Sequence, residues 1–237
     1  MQYVQCFVAA VPTANRAAYL AHAERSAALF RELGATRVVE GWGDDLPDGE
    51  VTDFRQSVRA EPGETVTLGW HEFDDAATAA RAFRQAMSDP RMGELGRTMP
   101  FDGRCMIFGG FAGRLDLGSR GEAGYVDGTL VPVPEANQAA YEDLDGRLSA
   151  VIMEYGARRI SGAWSDDLPA GELTDFRRAV AAEAGEAVAF GWIEWPSRAD
   201  RDAAWEKVFA DARMHADTPP HDNGRRVHGG FQPILDL

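Results

Sequence analysis

Asp44, Asp45, Asp53 and Arg55 lie within one fourteen-residue stretch, and Asp166, Asp167, Asp175 and Arg177 occupy the same places in a second copy of it. Crowded carboxylates raise one another's pKa, and such a set can act as general acid and base. The same residues also suit a polar turn, because turns select Asp, Pro and Gly. An Asp–Arg pair would then pin strand to loop. His71, between Trp70 and Glu72, is a second candidate, since a histidine facing a cavity is the usual proton carrier near neutral pH. Its counterpart is Ile193, so that site exists in one copy only. The other reading is a histidine satisfied within sheet packing. His215, His221, Asp222 and His228 invite a metal, but their spacing fits no compact ligand motif. A substrate contact by His221 is the better expectation, and neither a metal nor a cofactor is expected. Trp42, Trp70, Trp164 and Trp192 suit a core, or the aromatic walls of a cavity for a planar apolar ligand. Gly109-Gly110 and Gly229-Gly230 form no phosphate loop, because neither opens a helix and no Lys-Ser/Thr follows.

The stretch that carries the carboxylates, Trp42 to Arg55, returns as Trp164 to Arg177, 122 residues later. Repetition at a fixed spacing signals a duplicated unit. Residues 3–11 read as a strand that stops at Pro12, followed by a helix from Asn15 to the stop at Gly34. A strand over 36–42, the polar turn 43–49, an extended segment 51–60 and a strand over 65–73 come next. A helix over 76–87 breaks at Pro90, and a loop or short helix leads to the last strand, 104–117. Residues 118–124 form a glycine-rich, flexible linker. From Tyr125 the order restarts: strand to Val133, helix to Gly156, strand to Trp164, the repeated turn, strand to Ala182. Strand 187–195, helix 198–210 and strand 225–235 finish it. Each half is thus an α+β unit of ferredoxin-like βαββαβ order, occupying 1–117 and 125–237.

The third strand of each half carries bulky groups on both faces. Leu68 and Trp70 alternate with His71 and Phe73, and Phe190 and Trp192 with Ile193 and Trp195. A sheet apolar on both faces needs two covers. Helices supply one and the sister sheet the other, so the chain reads as a dimer fused into one polypeptide, an intramolecular pseudo-dimer that stays monomeric. The formal charge of −14 disfavours nucleic acid. No apolar run is long enough for a membrane helix, and the first residues lack a secretory pattern, so the cytoplasm is expected. Cys6 and Cys105 are too few for a disulfide framework; reduced thiols on neighbouring strands are expected.

With these residues in view, each half resembles the small bacterial YbaA-like family, domain of unknown function 1428. The resemblance rests on Tyr3-Val4 and Tyr125-Val126, Val11-Pro12 and Val133-Pro134, and the doubled Trp-x-Asp-Asp-Leu-Pro-x-Gly-Glu-x-Thr-Asp-Phe-Arg stretch. Asp89-Pro90-Arg91-Met92, Met99-Pro100-Phe101-Asp102-Gly103 and Gly109-Gly110-Phe111 add to it. It implies a dimeric α+β barrel, two ferredoxin-like units packed sheet to sheet. That superfamily also houses cofactor-free oxygenases and isomerases, small-molecule degradation enzymes and some haem proteins; the family itself brings no activity. The second half has Pro219-Pro220-His221-Asp222-Asn223 where the first has Met-Pro-Phe-Asp-Gly, so any pocket must differ between halves. The expectation is binding or transformation of a small, partly aromatic molecule in a pocket between sheet and helices. His71, Asp53, Arg55 and His221 are its candidate catalytic groups. Trp42, Asp44, Asp45, Trp70, Trp164, Asp166, Asp167, Asp175, Arg177 and Trp192 are its candidate ligand contacts. A non-catalytic structural or interaction module is the alternative.

Overall fold

In β1 (Tyr3–Pro12) the alternate residues Val4, Cys6 and Val8 point to one buried face, as the two-residue period of a strand dictates. Pro12 turns the chain toward α1 (Arg16–Glu32), which ends just before Gly34, at φ 112°. That left-handed conformation stops a helix and suits glycine. β2 (Arg37–Asp45), α2 (Phe54–Ser57), β3 (Glu64–Phe73), α3 (Ala76–Ser88), α4 (Pro90–Arg97) and β4 (Ile107–Gly118) complete the first half. The second half repeats the order as β5 (Tyr125–Pro134), α5 (Gln138–Glu154), β6 (Arg159–Asp167), α6 (Phe176–Ala179), β7 (Glu186–Trp195), α7 (Arg198–Ala210) and β8 (Val227–Asp236). The structure, a computed structural model, describes residues 2–237.

The strands close into one antiparallel barrel in the order β1-β3-β2-β8-β5-β7-β6-β4. The halves meet at two hydrogen-bonded seams, β2 with β8 and β4 with β6. The shared interior is as the sequence implies; the bonded seams are added to it. A four-stranded sheet has two open edges, and the sister sheet supplies a partner for both. Inside, Trp70 and Trp192 meet across the axis with centroids 5.0 Å apart and planes tilted by 36°, and Phe54, Phe111, Phe176, Phe190 and Phe231 pack around them. The helices lie outside. Among the described residues, no helix is long and apolar enough to cross a membrane. Cys6 is buried in the interior and Cys105 is half-buried in the turn before β4, and both thiols are free.

The doubled stretch closes one end of this barrel. Its second part was expected to be extended, yet Phe54–Ser57 and Phe176–Ala179 are single helical turns. Asp53 and Asp175 cause this: each sits in extended backbone and caps the turn, accepting from the Gln56 and Arg178 N–H groups at 2.8 and 2.9 Å. The turns drop Phe54 and Phe176 into the interior. The Thr52 hydroxyl donates to the Ala179 carbonyl (2.7 Å) and that of Thr174 to the Ser57 carbonyl (2.8 Å), so the two plugs hold each other. Leu46 lies directly over Gly229, and Leu168 over Gly109, where any Cβ would overlap them. The paired glycines are therefore where each half receives its sister's loop.

Charged groups close the opposite end. Arg37 forks onto Glu194 (2.6 and 3.1 Å) and Arg159 onto Glu72 (2.7 and 3.0 Å), pairing opposite halves about the pseudo-twofold axis. Asp236 and Asp116 hold the outer sides of these guanidinium groups at 2.7 Å. The linker is tied down here instead of flexible: Arg120 meets Glu72 at 2.9 Å, Arg37 donates to the Gly121 carbonyl, and Ala123 is buried. Buried carboxylates demand such partners.

Candidate functional site

Outside the barrel, α1 and α5 lie over equivalent parts of the two half-sheets, and what fills the space beneath them differs. Under α1 the space is closed. The Tyr19 hydroxyl donates to Glu40 on β2 at 2.7 Å, and the Phe7 ring lies over the Gly69 backbone. Trp42 and Phe101 pack on Tyr19 with centroids 6.0 and 5.8 Å away. Burial pushes the Glu40 carboxyl up to about 8, so it is protonated at neutral pH.

Beneath α5 the corresponding space is open. Thr129 replaces Phe7 and Gly162 replaces Glu40, both smaller. They leave a cavity of about 50 Å³ bounded by Tyr141, Asp145, Trp164, Thr129, Gly162 and Gly191. Tyr141 and Asp145 are one helical turn apart and so share a face of α5. The counterpart of Asp145 is Ala23, buried under α1. Asp145 Oδ2 lies 2.8 Å from where a Cβ on Gly162 would stand. The carboxyl beside the tyrosine thus comes from the strand in the first half and from the helix in the second. The glycine makes the approach possible, since any side chain at position 162 would displace Asp145.

Burial pushes the Asp145 carboxyl up to about 6; Arg226 opposes the shift and Glu142 adds to it. Among the described residues no hydrogen-bond donor meets it. Burial, and then the charge of Asp145, raise the Tyr141 phenol, which stays protonated and able to donate. Arg226 reaches the rim, its Nε donating to the Thr129 hydroxyl at 3.2 Å, and Arg114 pairs with Glu142 at 3.2 Å. His221 packs edge-on against Tyr141, centroids 5.5 Å apart. Its Nε2 meets Asn223 Oδ1 at 2.9 Å, while Nδ1 is buried without a partner. Burial lowers the His221 pKa, which favours the neutral ring. A carboxyl that ionises near neutral pH, a phenol donor and a nearby guanidinium can accept a proton and steady the negative charge that results.

Of the residues singled out from the sequence, Trp164 and His221 gather here. The others stand elsewhere. Asp53 and Asp175 cap the plugs; Arg55 and Arg177 donate to the carbonyls of Leu46 and Glu186. Asp44 and Asp45 take Arg198 and Arg201 across a seam, each at 2.7 Å, and Asp44 also accepts from the Tyr125 hydroxyl. Asp166 and Asp167 face Tyr3 at the other seam. Trp70 and Trp192 are inside the barrel, their indole N–H groups donating to Glu72 and Glu194. Trp42 packs under α1. His71 is wedged between Phe7 and Phe30, and burial drives its pKa down to about 3. His215 binds the Phe209 carbonyl and His228 lies on β8, so the three histidines do not converge.

Tyr141, Asp145, Thr129 and Arg226 escape a reading of each half alone. Their signal lies in superposing the halves. Ala23-Glu24, good helix formers, become Asp145-Gly146, two poor ones, in the middle of α5. At the same time Glu40 becomes Gly162. A carboxyl on the strand in one half and on the facing helix in the other marks the pair of positions that shape this space.

Related proteins agree with this architecture. The uncharacterized protein YbaA of Escherichia coli K12 is 49% identical over 116 residues, which make up 49% of this chain and 99% of that protein. Among solved structures, a proposed monooxygenase from Fusobacterium nucleatum superposes with TM-score 0.62 at 10% identity, covering 99% of this chain and 93% of its own. An anthrone oxidase-like protein gives 0.56 at 13% identity, covering 100% and 92%. Identities this low carry the fold alone. The profile described as "Protein of unknown function (DUF1428)" matches residues 2–103 and again 124–223, so the chain belongs to the DUF1428 family and holds two tandem copies of its unit.

Proposed function

We propose that this protein binds and transforms a small molecule in the cavity under α5, with Asp145 as proton acceptor. One observation carries the reading: the second half keeps a half-buried carboxyl without a protein donor beside an open space, where the first half seals its own carboxyl with Tyr19 and Phe7. A buried ionisable group without a partner costs stability, and such groups cluster at functional sites. The names of the structural neighbours, a monooxygenase and an anthrone oxidase, favour small-molecule chemistry as a class. Trp164 and Tyr141 offer flat walls to an unsaturated group. The volume is far below the roughly 300–1,000 Å³ of drug-sized sites, so a full aromatic ring requires α5 to lift.

The test is titration with a panel of small oxo acids and phenols, following tryptophan fluorescence. A saturable change is expected for the wild type. Thr129→Phe, which restores the first half's residue, is expected to abolish it while leaving the unfolding midpoint nearly unchanged. Silence across the panel, or full binding by Thr129→Phe, would contradict the reading.

A further inference from the structure

We infer that the cavity under α5 catalyses a proton shift on a small enolisable oxo acid, with Asp145 taking the proton, Tyr141 holding the enolate oxygen and Arg226 holding the acid's carboxylate. This deepens the proposal above and rests on the same cavity. Three features narrow the chemistry. The space of about 50 Å³ holds roughly three to five waters, at about 10–15 Å³ for each water centre. A short-chain oxo acid fits that room. Its wall holds an acceptor, a donor and a cation, Asp145, Tyr141 and Arg114, and Arg226 reaches the wall residue Thr129 from outside. His221 Nδ1, buried and unpartnered behind Tyr141, is a further acceptor where a proton can pause. No thiol stands among the lining residues; Cys6 is inside the barrel and Cys105 is in the turn before β4.

The step balances without a co-reactant. Asp145 Oδ takes a proton from the carbon next to the carbonyl. The C–H electron pair becomes the C=C bond, and the carbonyl π pair moves to oxygen. The Tyr141 hydroxyl donates a hydrogen bond to that oxygen, and Arg226 holds the substrate carboxylate. The proton then returns from Asp145 to carbon, with exchange against solvent, or to oxygen to release the enol. Nothing is oxidised or reduced.

The probe is acetoacetate in D₂O, with loss of its C2 proton signal followed by NMR and binding followed by tryptophan fluorescence. The wild type is expected to bind it and to accelerate exchange. Asp145→Asn is expected to lose at least about 100-fold of that acceleration, the usual contribution of a positioned base, while still binding. Tyr141→Phe is expected to lower the rate and to keep the unfolding midpoint. Binding without accelerated exchange, or exchange undiminished in Asp145→Asn, would overturn the assigned reaction and leave the cavity standing as a binding site. Absence of acetoacetate binding while other panel members bind would overturn the substrate class. Silence of the whole panel would remove the cavity reading as well.

Discussion

Asp145 and Glu40 each place a carboxyl beside the tyrosine of their half, one bordering a cavity and the other sealed under Tyr19 and Phe7. Both carboxyls have a folded pKa above the unfolded one, so each favours folding most when protonated. Below about pH 4, Asp145 holds its proton folded and unfolded alike. Between the ordinary 3.8 and about 6 the unfolded chain releases the proton and the folded chain keeps it, so stability falls as pH rises. For Glu40 the window runs from 4.5 to about 8. These two carboxyls make a decline across roughly pH 4 to 8, against which His71, buried neutral with a pKa of about 3, makes stability rise up to its ordinary 6.5, so the carboxyls are read from the difference between variant and wild type. Asp145→Asn should flatten the lower part of this decline and Glu40→Gln the upper part. At pH 7, Asp145→Asn should gain up to about 2–3 kcal/mol, since one pKa unit is about 1.4 kcal/mol. Urea unfolding at several pH values measures this. A destabilised Asp145→Asn would show that the carboxyl serves the fold. Stability gained as activity is lost is the mark of a functional group.

Individual strands and helices were largely legible in the sequence, because alternation such as Val66, Leu68 and Trp70 has a period that only a strand uses. The plugs were not. Thr52-Asp53-Phe54 looks like extended chain until the sister plug is present to take the Thr52 hydroxyl and the barrel to take Phe54. The signal that was available is the capping residue itself. Asp53→Ala is expected to cost about 1 kcal/mol by losing the cap, read from the shift in urea midpoint. It should leave ligand binding under α5 intact; loss of binding would give Asp53 a functional part after all. The site was half legible. Trp164 and His221 stand out by type, whereas Asp145 passes for a surface residue of α5 unless the halves are superposed.

At the scale of the whole molecule, fusion lets the halves diverge. In a pair of identical subunits, Glu40 could not become glycine on one side only. The constraint both halves retain is the charged end of the barrel. Arg159 is fully buried and pairs with Glu72 of the other half, so Arg159→Met leaves a carboxylate in the interior short of its partner. It is expected to cost about 3–5 kcal/mol, and the double change with Glu72→Met should recover most of that. A small effect of Arg159→Met would mean that the halves do not depend on this junction. The duplication, the fused pair and the shared core were all legible, because repetition survives in sequence. The ion quartet was not, since its members lie far apart along the chain and only closure brings them together.

On the proposed function, the cavity under α5 takes ligand and the space under α1, filled by Tyr19 and Phe7, does not. A crystal of the full chain soaked with acetoacetate tests it most directly. Density is expected under α5, against Asp145 and Trp164, and none under α1. Density under α1, or equal occupancy of both halves, would contradict it.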